Sequence, residues 1–320
     1  MINKVTVACW NFEQNGKSNP ALRRRAHERL ARLNPHLVLR QEMWGADEDG
    51  STVLYELEEV LGMRGWLGPH SCTAVFADQR VFRTMREWPR TGPMWVLPPT
   101  ALTMRYLPAG EDAMPLVVAS FHLNYASATN RLAETEWLTT WADKRWATPD
   151  GESVRMPALI GGDTNGYPEP GTTGDPALPV LENIQDEPHR AHRSYLDPGG
   201  ARRMDTRPDN TLYTAGLRDV ARYWASHHDG TPAAVAPTVD AYETHGPDAR
   251  VDRVYATPEL LPAVTDVEVL EVPTEISDHH IVRLTLDGPL LTDILNRNSD
   301  GLSGAHGATG IPEASCPGAG

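Results

Sequence analysis

At 320 residues the chain accommodates one large domain or two average ones, and the pattern of motifs described below, shared between its two ends, favours one. Its formal net charge of -14, with 29 Lys and Arg against 43 Asp and Glu, excludes a sequence-independent nucleic-acid coat, because binding by counterion release needs a basic face. An acidic enzyme can still focus a local basic groove on a polyanion, so a nuclease stays open.

In chain order, Val5 to Trp10 is a strand closed by Asn11, and Pro20 opens a helix with Leu22, Ala26, Leu30 and Leu33 at helical spacing. Leu37 to Leu39 is a strand that delivers Gln41 and Glu42, which completes a β-α-β unit. A second helix is predicted over Thr52 to Leu61, broken by Gly62 to Pro69. Strands follow at Thr73 to Phe76, Val81 to Trp88, Ala101 to Tyr106 and Leu116 to Phe121, punctuated by Pro and Gly and ending at His122. Thr129 to Trp146 carries the strongest helical pattern, with Leu132, Thr135 or Glu136, Leu138 or Thr139 and Ala142 on one side. Ala158 to Gly161 leads into Asp163-Thr164-Asn165, and 168–210 reads as a long surface insertion of a kind that is usually functional. Leu212 to Ser226 has room for a short helix. Val251 to Tyr255, Val267 to Val272 and Ile281 to Leu286 are the last strands, and 291–320 is expected to be a disordered tail.

Cys9, Cys72 and Cys316 are odd in number and far apart, so neither a disulfide framework nor a zinc site is suggested. Met1 leads almost directly into the first strand and no apolar run is long enough to span a bilayer, so a cytoplasmic protein is the expectation, and a monomer with it.

The chemistry-bearing residues stand at strand ends. A carboxylate fixed there beside an amide, as Glu42 beside Asn11, can hold Mg2+ (or Mn2+) while a substrate phosphate fills the open positions. For Glu42 alone, a solvated strand-end acid is the plain alternative. Asp163 and Asn165, one residue apart, share a side on extended backbone, or else form an Asx turn after Gly161-Gly162. Arg40 is placed to pair with Glu42. His189, Arg190, His192, Arg193, Arg202 and Arg203 make a basic cluster on the insertion, which reads equally as a polyanion grip and as a solvated loop paired with Asp197 and Asp205.

Taken together and in this order, Asn11, Gln41-Glu42, His122, Gly162-Asp163-Thr164-Asn165, Asp252 and Ser277-Asp278-His279 resemble the endonuclease/exonuclease/phosphatase superfamily, from Val5 to about Leu286. The resemblance implies one α/β domain over 1–290, a four-layer DNase I-like sandwich of two mixed sheets with helices outside. It implies Glu42, Asn11 and Asp278 as metal contacts and Asp163 as the group that orients or deprotonates water. Asn165 would meet a phosphate oxygen, and His279 would be base or transition-state stabiliser, oriented by Asp252. His122, which alone reads as a core histidine, becomes general acid or oxyanion stabiliser, with Glu87 a weak choice for its orienting acid. His280, on the other side of the strand, is a packing residue.

The reaction expected is metal-assisted hydrolysis of a phosphate ester. A nuclease comes first, with the loop arginines 190, 193, 202 and 203 gripping nucleic acid. A small-molecule or phospholipid-headgroup phosphatase or phosphodiesterase is the second reading, favoured by the acidic charge and by Lys occurring only at 4, 17 and 144. A catalytically silent binding module is the third.

Overall fold

Val5 and Val7 alternate with Thr6 and Ala8 in β1 (Lys4–Asn11), so one of its faces carries Val5, Val7 and Cys9 and the other Ala8 and Trp10. Both faces are buried. The same two-sided burial recurs in the other central strands and dictates layers above and below each sheet. The computed structural model describes residues 2–88, 94–148, 151–170, 175–228, 232–242 and 246–300.

After β1 come the one-turn α1 (Gln14–Lys17), α2 (Pro20–Ala31), β2 (Leu37–Gln41), α3 (Thr52–Leu61), β3 (Arg64–Leu67), β4 (Thr73–Ala77), β5 (Phe82–Glu87) and β6 (Thr100–Tyr106). Then follow β7 (Leu116–His122), α4 (Ala128–Leu138), β8 (Arg145–Ala147), β9 (Ser153–Arg155), β10 (Ala158–Asp163), α5 (Glu187–His192), β11 (Ser194–Leu196) and β12 (Arg202–Met204). The chain closes with α6 (Arg207–Thr214), β13 (Arg218–Asp219), α7 (Val220–His227), β14 (Asp252–Ala256), β15 (Val264–Leu270), β16 (Ile281–Asp287) and α8 (Gly288–Asp300).

Two six-stranded mixed sheets result, ordered β15-β16-β1-β2-β4-β3 and β13-β14-β10-β7-β6-β5. Val5, Val7, Leu39 and Leu284 of the first meet Leu102, Val118, Leu159 and Val254 of the second in the central core. On the outer face of the first sheet, Trp10 and Phe76 pack with Ala26 and Leu30 of α2 and Leu57 of α3. Val117, Phe121 and Ile160 do the same on the second with Leu138 of α4 and Leu212 of α6. Each fully buried Leu, Val or Phe contributes about 1.5–3 kcal/mol, so the three apolar layers hold the stack. This is the expected four-layer α/β/β/α sandwich.

The expectations from sequence need five corrections. Gly62 to Pro69 contains β3, and helix α4 stops at Leu138, because a short 3-10 turn and β8 follow where the sequence predicts helix to Trp146. The buried side of α4 is Arg131, Glu134, Thr135 and Leu138, offset from the apolar side chosen by hydropathy, since its charged members have partners inside. The insertion 168–210 holds α5 and the hairpin β11-β12. Residues 291–300 are helix, not tail: Leu291 and Leu295 are fully buried in the central core, one turn apart on α8. The remainder of the expected tail, 301–320 with Cys316, lies outside the described residues.

Candidate active site

Register brings the strand-end residues together. In the second sheet Asp163 of β10 is paired with His122 on β7 and with Asp252 on β14, so three candidate side chains stand in a row. In the first sheet Asn11 of β1 is paired with Gln41 of β2, which puts Glu42 one residue beyond. Cys9 is paired with Val282 of β16, and Asp278 and His279 lie in the turn before that strand.

The glycines before Asp163 explain how close the layers come. A Cβ on Gly162 would stand 1.7 Å from the Phe121 carbonyl oxygen, and one on Gly161 2.8 Å from Leu39 across the core. The close approach they permit is therefore to protein, not to a ligand. Past Asp163 the backbone turns: Asn165 has φ 46° and donates its N–H to Asp163 Oδ1 at 2.7 Å. The Asx turn is thus the arrangement adopted, and the extended alternative is not. Asn165 Nδ2 donates to the Leu123 carbonyl at 3.0 Å.

Between the sheets, the Asn11 amide nitrogen lies 3.2 Å from Glu42 Oε1 and 3.1 Å from Asp163 Oδ2. Glu42, itself at φ 57°, accepts the Gln14 N–H on Oε2 at 2.6 Å. His279 Nδ1 is 2.7 Å from Asp252 Oδ2, and its Nε2 is 4.0 Å from Asp163 Oδ2. His122 Nε2 approaches the same Asp163 oxygen at 3.5 Å. Asn11, Glu42, His122, Asp163, Asp252 and His279 form one continuous cluster, with Asp278 and Asn165 at its margins.

Charge is distributed unevenly in it. Burial pushes the Asp163 carboxyl up, but His122, His279 and Arg193 outweigh it and hold the group below the usual carboxylate range. Burial raises Asp252, with the Asp163 charge adding to the effect and His279 opposing it. His279 loses by burial yet is raised to about 10 by Asp252, Asp163 and Asp278, which makes it an imidazolium at neutral pH.

Asn11 Oδ1 and Asp278 Oδ1 are buried acceptors with no donor among the described residues. Together with Glu42 they are hard oxygen donors without sulfur, the set that Mg2+ or Mn2+ takes, so the residues fit the ion. Asp163, Asp252 and His279 also offer ligand atoms within 4.8 Å of one another, a group that could hold a metal. In that group His279 Nδ1 is engaged by Asp252, which leaves Nε2 as its remaining ligand atom.

Other expectations change. Arg40 does not pair with Glu42. It is fully buried among Trp10, Phe12 and His27 and donates to the Trp10 and Gln41 carbonyls at 2.8 and 2.6 Å. Glu87 is exposed on edge strand β5, and His122 Nδ1 is buried with no partner among the described residues. His280 bonds Val272 N and lies 3.2 Å from Asp240, away from the cluster. Of the loop arginines, Arg190 donates to the Ile184 carbonyl, Arg202 to Ser194 Oγ and Arg203 to Asp197. Arg193 helps to lower Asp163 by its charge, and its Nη1 is buried and without a hydrogen-bond partner among the described residues.

Sequence reasoning missed Arg131. Its guanidinium is fully buried, paired with Asp205 Oδ2 at 2.8 Å, and fixes the insertion against the β7–α4 turn. The available signal was a polar set at helical spacing, Arg131, Glu134 and Thr135, beside Leu138.

No family model and no curated protein matches the chain. Solved structures do. An endonuclease/exonuclease/phosphatase family protein from Bacteroides thetaiotaomicron is 15% identical over 88% of this chain and 94% of its own, with TM-score 0.55. D. rerio TDP2, complexed with single strand DNA product, is 14% identical over 89% and 100%, with TM-score 0.57. The endonuclease domain of TRAS1, a telomere-specific non-LTR retrotransposon, is 13% identical over 89% and 98%, with TM-score 0.50. The chain has the DNase I-like fold of the endonuclease/exonuclease/phosphatase family.

Proposed function

We propose that this protein is a divalent-metal-dependent phosphodiesterase acting on nucleic acid. The observation that carries the reading is the Asn11 amide bridging Glu42 and Asp163 across the two sheets, with the His279–Asp252 pair facing the same Asp163 oxygen.

Glu42, Asn11 and Asp278 would hold Mg2+ or Mn2+, which would supply Lewis-acid stabilisation of the charge that develops during phosphoryl transfer. Asp163, ionised, orients a water and takes its proton as the water oxygen bonds to phosphorus. The bond to the leaving oxygen breaks on the opposite side. His279, held as imidazolium by Asp252, meets the negative charge that gathers on the phosphoryl oxygens. His122 and Asn165 flank Asp163 and would contact the same phosphate, and Arg193, whose charge acts on Asp163, would balance its charge from the insertion side.

The nucleic-acid reading is supported by the fold shared with D. rerio TDP2, seen with single strand DNA product, and with the TRAS1 endonuclease domain. A small phosphodiester is the second reading, favoured by the net charge of -14 and by Asp197 neutralising Arg203. Incubation with Mg2+ and single-stranded DNA, plasmid, RNA, bis-p-nitrophenyl phosphate and inositol phosphates tests both. Cleavage of small esters alone would remove nucleic acid, and no cleavage of any would leave a silent binding module.

A further inference from the structure

Beside the phosphate site lies a pair of rings that the reaction does not use. Tyr125 follows His122 by three residues and is 58% exposed. Its ring meets the His192 imidazole edge-on at 6.3 Å and 86°, and His189 meets His192 at 5.7 Å. The two partners come from distant segments, the β7–α4 turn and the end of α5.

Both are held by buried polar devices. Asn124 Oδ1 accepts the N–H groups of Ala126 and Ser127 at 3.0 and 2.7 Å, which closes a turn around Tyr125. The buried Arg131 guanidinium, neutralised by Asp205, donates to the carbonyls of Asn124 at 2.9 Å, Tyr125 at 3.4 Å and His192 at 2.8 Å. One side chain thus fixes the backbone under both rings. The next residue is Arg193, whose charge acts on Asp163 and whose Nη1 is buried without a hydrogen-bond partner among the described residues.

We infer that Tyr125 and His192 form a stacking subsite for an unstacked nucleobase of single-stranded nucleic acid, whose adjacent phosphate is received by Arg193. This deepens the phosphodiesterase reading and rests on it for the position of the phosphate. A planar ring with a phosphate one sugar away matches an exposed aromatic face with a guanidinium beside it. Aromatic stacking tolerates any base, and its loss weakens binding by roughly five- to a hundredfold per base. Bases inside a duplex must first be unstacked to reach such a face.

The test is binding in EDTA, where neither metal nor turnover intervenes. A thymidine oligonucleotide with one 2-aminopurine is titrated with the protein, and base fluorescence reports stacking. Wild type binds with quenching, Tyr125→Ala weakens binding by about five- to a hundredfold with loss of the quench, and Tyr125→Phe and His192→Phe retain both. Tyr55→Ala, which removes a ring equally open on α3 at 52% exposure, leaves binding unchanged. The subsite is overturned if Tyr125→Ala binds and quenches as wild type does, if wild type itself does not bind, or if a duplex of the same sequence binds as tightly as the single strand. Hydrolysis of bis-p-nitrophenyl phosphate with Mg2+ is measured separately. Its absence in wild type would remove the phosphodiesterase reading while leaving the quench result to stand by itself.

Discussion

His279 Nδ1 lies 2.7 Å from Asp252 Oδ2, a hydrogen bond between the turn before β16 in one sheet and β14 in the other. It fixes which nitrogen faces the site, since Nε2 is the one 4.0 Å from Asp163. The two carboxylates on either side make the ring a cation.

His279→Ala and Asp163→Ala are each expected to lower kcat by about 10²–10⁴-fold, the usual contribution of positioned acid-base groups. Asp252→Asn keeps the shape but removes a charge that raises His279, so the alkaline limb of the kcat profile should move to lower pH. His280→Ala should cost far less, because its ring bonds Val272 and faces Asp240. A pH–rate profile for each variant, with circular dichroism to check folding, decides the matter; greater impairment of the His280 variant would refute the assignment.

Activity is expected to need Mg2+ or Mn2+ and to vanish in EDTA. Glu42→Ala removes the carboxylate that Asn11 and Gln14 orient, so its Mg2+ activation midpoint should rise at least tenfold. Undiminished hydrolysis in excess chelator would sink the metal mechanism.

Arg193→Ala should weaken binding of a phosphate-ester substrate more than Arg190→Ala, Arg202→Ala or Arg203→Ala. Those three already donate to Ile184, Ser194 and Asp197. For an oligonucleotide the Arg193 variant should reduce the salt slope by about one. Four equal effects would show that the insertion grips the polyanion diffusely.

Breaking the Arg131–Asp205 pair by Asp205→Ala leaves a buried guanidinium without its charge partner and is expected to cost about 3–5 kcal/mol of stability. Arg207 also loses its carboxylate there, so the insertion loosens first. Chemical denaturation measures the loss, and proteolysis within 168–210 shows where it begins.

Burial pushes the Glu134 carboxyl up to about 7, against the N–H groups of Val96 and Asn124 and the Arg131 charge, all of which favour ionisation. The raised value means that the folded state retains a proton the unfolded chain has released. Its stabilising effect is fully present below about 4.5 and is lost as pH rises through about 7. Glu134→Gln should flatten the pH dependence of Tm over that window. An unchanged slope between pH 5 and 7 would show that Glu134 ionises normally.

The central strands of the sandwich and the order of Asn11, Glu42, His122, Asp163, Asp252 and His279 are legible in the sequence, because two-residue periodicity and a polar residue at each strand end are local properties; the short edge strands β3 and β13 are not. Which of them meet was decided by register: Asp163 is opposite both His122 and Asp252 only because β10 pairs with β7 and β14 as it does. The fates of the arginines could not be read locally at all. Arg40, Arg131 and Arg193 look alike in sequence, yet one donates to backbone carbonyls beside Trp10, one pairs with Asp205, and one keeps a buried Nη1 without a partner among the described residues while its charge acts on Asp163. A guanidinium takes its role from acceptors tens of residues away in the chain, and only the packing of the layers brings those acceptors to it.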